Sequence, residues 1–231
     1  MRKVRKYFEI GLICLSTAFI TYTQNFYRAD IAGKKAAETA YMEGSDLYFE
    51  AEKATGFLIY PGGKVEETAY AVLAQKLQER GYPVIIVSMP MKLSILNSGK
   101  GKTVIERHDE VKEWIIVGHS LGGTSASIFA SQGVEQLSGI VFLGSYPYKD
   151  LSSLSIKALS LTGTEDGVLN REKAVEYQSY YPIETNIKEI DGGNHAGFGV
   201  YGVQKRDKES SISWEEQHEI TVNEIIDVFD L

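Results

Sequence analysis

The run Trp114-Ile115-Ile116-Val117-Gly118-His119-Ser120-Leu121-Gly122-Gly123 passes from a β-like stretch through G-x-S-x-G into a helix-like one. A sharp strand-to-helix turn forces such a serine into a strained backbone and exposes its hydroxyl, while the glycines remove side chains that would collide with neighbouring elements. The free amides that open the following helix then face any negative charge developing beside the serine. Ser120 is therefore the expected nucleophile. A dinucleotide fingerprint is excluded, because Ser120 stands where G-x-G-x-x-G needs its second glycine. Gly101-Lys102-Thr103 resembles the end of a phosphate-binding loop, but Leu96 occupies the position where that motif needs its first glycine.

A serine hydroxyl is a poor nucleophile at neutral pH and needs a histidine to take its proton and a carboxylate to orient that histidine. Behind an elbow of this kind the acid and then the histidine follow in the chain, which leaves His195 and His218 as bases. His195 lies in the glycine-rich run Gly192-Gly193-Asn194-His195-Ala196-Gly197-Phe198-Gly199, directly after an expected strand. His218 precedes Val222 by one helical turn and reads as a packed or surface histidine. His119 should point away from the serine, and His108 reads as solvated. For the acid, Asp166 follows the β-like run 156–162 and precedes a helix, with Glu165 and Asp150 as rivals. The oxyanion hole is expected from the amide of Leu121 and one from the turn Tyr60-Pro61-Gly62-Gly63-Lys64, with Gly63 first and Lys64 as the alternative.

These residues must be placed by a sheet. Short β-like runs at 47–51, 56–60, 83–87, 114–118, 139–144, 156–162 and 185–190 alternate with helical patterns near 65–80, 102–112, 121–132, 170–180 and 215–230. The first two runs suggest a hairpin. Later ones, such as Val84-Ile85-Ile86-Val87, are continuously apolar, as strands buried on both faces of a parallel sheet should be. The pattern predicts an α/β fold, a doubly wound and mostly parallel sheet with helices on both faces. Its ligand crevice lies at the carboxyl ends of the strands. The longest segment available to cover the site, 88–101, is too short for a separate lid domain, and its Met89, Met91, Leu93, Ile95 and Leu96 could line an apolar wall beside Ser120 or merely pack on the sheet.

Composition adds exclusions. The 231 residues are 43% hydrophobic and 24% charged, which suits an ordinary globular chain. A net charge of −7 leaves no basic field for a polyanion, so nucleic acid is not an expected partner. One cysteine, Cys14, permits neither an internal disulfide nor a cysteine metal site. Arg2, Lys3, Arg5 and Lys6 precede the uncharged run Ile10 to Tyr27, so residues 1–28 read as a signal peptide or N-terminal membrane anchor. The catalytic part is then extracytoplasmic, anchored to the membrane through that segment or secreted. Residues 29–45 read as a spacer, and 46–231 as the catalytic domain.

Four pieces, YPGGKVE at 60–66, GHSLGG at 118–123, GTEDGV at 163–168 and GGNHAGFGVYG at 192–202, together resemble a bacterial branch of the α/β-hydrolase superfamily, close to the dienelactone-hydrolase-like group. The likeness covers residues from about 46 to the end. It implies hydrolysis of small-molecule carboxylic esters without a cofactor or metal, and carries Ser120, Asp166 and His195 over by motif. Gly197 and Val200 depart from it, standing where relatives carry polar side chains. A thioesterase, peptidase or acyltransferase would use the same three residues, and a non-catalytic surface-binding protein could keep the scaffold.

Overall fold

The computed structural model describes residues 2–231. One eight-stranded sheet is formed by β1 (Tyr41–Glu43), β2 (Asp46–Phe49), β3 (Thr55–Tyr60), β4 (Val84–Ile86), β5 (Glu113–His119), β6 (Leu137–Leu143), β7 (Lys157–Gly163) and β8 (Thr185–Ile190). The order across it is β1-β2-β4-β3-β5-β6-β7-β8. From β4 to β8 every neighbouring pair is parallel, and β1 and β2 are the antiparallel margin. The helices are α1 (Arg2–Gln24), α2 (Ile31–Ala37), α3 (Ala71–Glu79), α4 (Lys100–Ile105), α5 (Leu121–Ala130), α6 (Arg171–Glu176) and α7 (Trp214–Phe229).

The continuous apolar runs are explained by two cores. Phe57, Ile59, Ile115, Val117, Val141 and Leu143 pack on one face with Leu73 and Leu77 of α3 and Val222 and Ile225 of α7. Leu58, Tyr60, Ile116, Ile140 and Phe142 alternate with them and pack on the other face with Val104 of α4 and Ala126 and Phe129 of α5. Successive strand residues point to opposite faces, so a strand covered on both sides must be apolar throughout. The expected α/β fold with a doubly wound, mostly parallel sheet is the one observed.

Three expectations are corrected. The first two β-like runs do not form a hairpin, because β3 has parallel partners on both sides and β2 pairs with the outer edge of β4. The hairpin lies one step earlier, between β1 and β2, where Gly44 turns the chain at φ 65°. The stretch 29–45 is not a spacer. Tyr27 forms a parallel bridge with Val65, Ala29 and Ala36 are buried, and Asp30 caps α2 by accepting from Gly33 N–H at 3.0 Å. Small alanines hid this contact, since they pack closely without a visible apolar stripe. His108 is not solvated either, being buried between Glu43 and Glu110, each 2.9 Å from one ring nitrogen.

The membrane anchor is likewise unsupported: among the described residues no helix is long and apolar enough to cross a membrane. The carboxyl-terminal part of α1, with Thr21, Tyr22, Thr23 and Gln24, is too polar for the purpose.

On α7, His218 is fully buried with neither ring nitrogen hydrogen-bonded, its ring edge-on to Trp214. Burial, reinforced by the Lys76 ammonium, holds its pKa down to about 4. The folded protein thus refuses a proton that the unfolded chain accepts, and stability falls as pH drops from about 6.5 toward 4. Urea titrations between pH 7 and pH 4.5 should show His218→Leu losing about 2–3 kcal/mol less stability than the parent over that interval.

Candidate active site

Each expected residue emerges at the carboxyl edge of the sheet. Ser120 follows β5 with φ 52° and ψ −120° and opens α5, the strained backbone expected of the elbow. Its N–H donates to Leu143 O at 3.0 Å, and its carbonyl accepts the Ser145 hydroxyl at 2.9 Å. The turn is tight enough to exclude side chains, as a Cβ on Gly122 would lie 2.0 Å from the carbonyl oxygen of Tyr60.

Asp166, in the turn after β7, and His195, in the loop after β8, are both buried. The carboxylate Oδ2 lies 2.8 Å from His195 Nδ1. Oδ1 accepts the N–H groups of Val168 and Leu169, each at 2.8 Å. Burial alone would push the Asp166 carboxyl up; the hydrogen bond to His195, its charge and the two amides outweigh that, and the pKa ends below the ordinary carboxylate value. The carboxylate therefore stays ionised and holds Nδ1–H. His195 Nε2 is buried and makes no hydrogen bond, with Ser120 Oγ or any other described atom. Gly144, at φ 51°, passes so close that a Cβ there would meet His195 Nδ1 at 2.8 Å and Asp166 Oδ2 at 3.0 Å.

The rival residues make other contacts. Asp150 is exposed and turns back on Ser152 N–H, Glu165 pairs with Lys208, and His218 sits on α7 inside the core. In the turn after β3 the Gly62 N–H donates to the Tyr70 hydroxyl and the Lys64 N–H to Lys92 O. Gly63 N–H donates to no described acceptor, and a Cβ on Gly63 would lie 2.9 Å from Leu121 Cδ2. Leu121 N–H, first in α5, has no partner within its helix. Gly63 and Leu121 thus adjoin with uncommitted amides, and Lys64 does not qualify.

Sequence reading missed a second layer. The Tyr70 hydroxyl accepts from Gly62 N–H at 2.9 Å and lies 2.7 Å from His119 Nδ1, to which it donates. Burial pushes the Tyr70 phenol up and keeps it protonated. His119, fully buried, is held well below the ordinary histidine value by burial and by the neighbouring His195, so its ring stays neutral and can accept at Nδ1. Its ring centroid is 4.6 Å from that of His195. Nothing in the spacing of Tyr70 announced this role. The histidine loop is also gripped from α7, where buried Gln217 accepts from Asn194 N–H and donates to Asn194 O.

A groove of about 640 Å³ runs behind this loop, lined by Asn194, Ala196, Val200, Asp207, Ile212 and Trp214, and Ser120 is not among its walls. Among the described residues no group of His, Cys, Asp and Glu is arranged to hold a metal ion.

The Tyr70 contacts generate a measurable expectation. Tyr70→Phe strands the Gly62 N–H and His119 Nδ1 in a buried setting, which should cost about 1–3 kcal/mol of folding stability in urea unfolding at pH 7.

A sequence model described as the alpha/beta hydrolase family matches residues 56–219. No curated protein matches the chain. Among solved structures, an alpha/beta hydrolase enzyme from the sediment metagenome of the Mar Chica lagoon, Morocco, is 18% identical with a TM-score of 0.62, over 83% of this chain and 99% of that one. The monoacylglycerol lipase of Paleococcus ferrophilus is 15% identical with a TM-score of 0.59, over 81% and 100%. A structure from a study of carboxylesterases of Nitrososphaera gargenis is 14% identical with a TM-score of 0.54, over 83% and 99%. At these identities the likeness is one of fold.

Proposed function

Since the chain belongs to the alpha/beta hydrolase family, we propose that it is a serine hydrolase of small carboxylic esters, near the dienelactone-hydrolase-like group, with Ser120 as nucleophile, His195 as base and Asp166 as orienting acid. The observation that carries this reading is the buried 2.8 Å contact between Asp166 Oδ2 and His195 Nδ1, at the same edge of the sheet as a serine held at φ 52°. In the first step Ser120 Oγ attacks the ester carbonyl while His195 Nε2 takes the hydroxyl proton. The amides of Gly63 and Leu121 receive the developing oxyanion. The imidazolium then returns its proton to the leaving alcohol, an acyl-serine remains, and His195 activates water to release the acid. Asp166 keeps the ring in the working tautomer throughout.

Ser120→Ala should abolish both ester hydrolysis and labelling by a fluorophosphonate probe while the far-UV spectrum stays unchanged. His195→Ala should lower turnover by at least about 10³-fold. Persistent labelling of the Ser120 variant would reject the assignment.

Short acyl groups suit the site. The segment 88–101 folds as two 3₁₀ turns and the start of α4, and Ser94 within it donates to Leu121 O at 3.2 Å. Met91, Ile95 and Leu96 are exposed on this segment, whose Lys92 O accepts from Lys64 N–H, and they are the apolar side chains it offers to a substrate. On p-nitrophenyl esters kcat/KM should peak at acyl chains of roughly two to six carbons, each methylene that finds a pocket adding about 1–3 kcal/mol. A steady rise through long chains would overturn this. Including thioesters in the panel separates the neighbouring activity.

Export is a separate part of the proposal. It is supported by the four cations at residues 2–6 ahead of exposed Ile10, Leu12, Ile13, Leu15, Phe19 and Ile20. Because Tyr27 belongs to the fold, cleavage should fall before it. Fractionation should find the enzyme outside the cytoplasm; an intact chain confined to the cytosol would remove this part.

A further inference from the structure

The long excursion between the histidine loop and α7 carries one carboxylate that reaches back into the site. Asp207 Oδ1 accepts the N–H of Gly167 at 3.0 Å and that of His195 at 3.3 Å, and Oδ2 accepts the N–H of Ala196 at 2.7 Å. Gly167 is the residue after Asp166. A single side chain outside the triad thus bonds the backbone of both turns that carry the acid and the base. The approach is close, since a Cβ on Gly167 would lie 2.5 Å from Arg206 O, and Arg206 itself is held at φ 75°.

The excursion that presents Asp207 is tied down elsewhere. Tyr27 OH accepts Lys205 N–H at 3.1 Å, and Asp30 N–H donates to Val200 O at 2.9 Å. The same segment donates from Tyr27 N–H to Lys64 O at 2.7 Å, beside the oxyanion turn. Asp207 is therefore not a loose surface acid that happens to touch the loop.

We infer that Asp207 is a positioning residue that locks the turn bearing Asp166 to the turn bearing His195, so that the separation of the acid and the base is set by a carboxylate that touches neither of their side chains. The inference rests on the assignment of these two residues in the proposed function. A carboxylate suits the place because both its oxygens are acceptors, and charge-assisted hydrogen bonds to several amides are stronger than neutral ones. An asparagine has one acceptor oxygen, and its NH₂ would face an amide N–H. An alanine takes the acceptor from these three amides and from Lys208 N–H, at the edge of a solvent-open groove that Asp207 lines.

The test uses the full chain with Asp207→Ala and Asp207→Asn. On a short p-nitrophenyl ester Asp207→Ala should lose about 30- to 100-fold in kcat with KM changed by less than about threefold, and Asp207→Asn should fall between it and the parent. Because the vacated position opens on the groove, formate at tens of millimolar should restore Asp207→Ala several-fold and leave the parent and His195→Ala unaffected. Hydrogen exchange, which does not depend on activity, should speed up together in peptides covering 163–169 and 192–198 and stay unchanged in β5 and β6. Full kcat in Asp207→Ala, exchange unchanged in both turns, or exchange raised across the whole chain with no formate rescue would each overturn the inference. If Ser120→Ala stays active, the triad assignment fails instead, and the exchange result still decides whether Asp207 joins the two turns.

Discussion

The backbone of Ser120 cannot relax without dismantling its surroundings. A residue other than glycine at φ 52° and ψ −120° is in a costly conformation, of order 1–3 kcal/mol, and holds it only when neighbours over-determine it. Here the N–H is taken by Leu143 O on β6 and the carbonyl by Ser145 Oγ beyond β6, while α5 begins at the next residue. Gly122 lies against the Tyr60 carbonyl with no room for a Cβ. The ends of β3, β5 and β6 are thus packed together around one strained residue. Gly63 on the β3 turn reaches Leu121, and Gly144 after β6 reaches the Asp166–His195 pair, only because those ends meet there.

Electrostatics follow from the same compactness. The Asp166 carboxylate is buried, yet ionised, because His195 and two turn amides are fixed around it. His119 and His218 are buried too, but have no such anion and are held neutral. His195 is paired with a carboxylate, His119 is hydrogen-bonded to Tyr70, and His218 is packed in the core. Neutrality lets His119 accept from Tyr70, so Gly62, Tyr70, His119 and the His195 ring belong to one buried chain of contacts.

What could be read beforehand divides along physical lines. Strands buried on both faces leave continuous apolar runs, and the elbow, the acid turn and the histidine loop leave glycine-rich signatures after them. The doubly wound, mostly parallel sheet with helices on both faces was therefore legible, and so was the placing of Ser120, Asp166 and His195 directly after strands. Residues 29–45 were not, because Ala29, Gly33 and Ala36 bury themselves by being small and show no amphipathic stripe. The pairing of β2 with β4 was hidden because local patterning says where a strand is, and not which edge it finds. Tyr70, Gln217 and Asp207 act through hydrogen bonds to groups that no local sequence pattern links to them, a role that any buried or loop position could play.

The site's need for such residues can be traced to sheet order. β8 is the outermost strand, with Asn186, Ile187 and Glu189 open to solvent, and no further strand steadies the loop that leaves it. Ser120, by contrast, leaves a central strand with neighbours on both sides. A histidine hung from an edge strand must borrow its rigidity from outside the sheet. Gln217 holds the loop from α7, Asp207 bonds it from the excursion, and the segment 27–30 secures that excursion while Tyr27 N–H donates to Lys64 O in the turn after β3. The amino-terminal segment, with no residue in the proposed triad, thereby joins the turn after β3 to the excursion after β8, on opposite sides of β5.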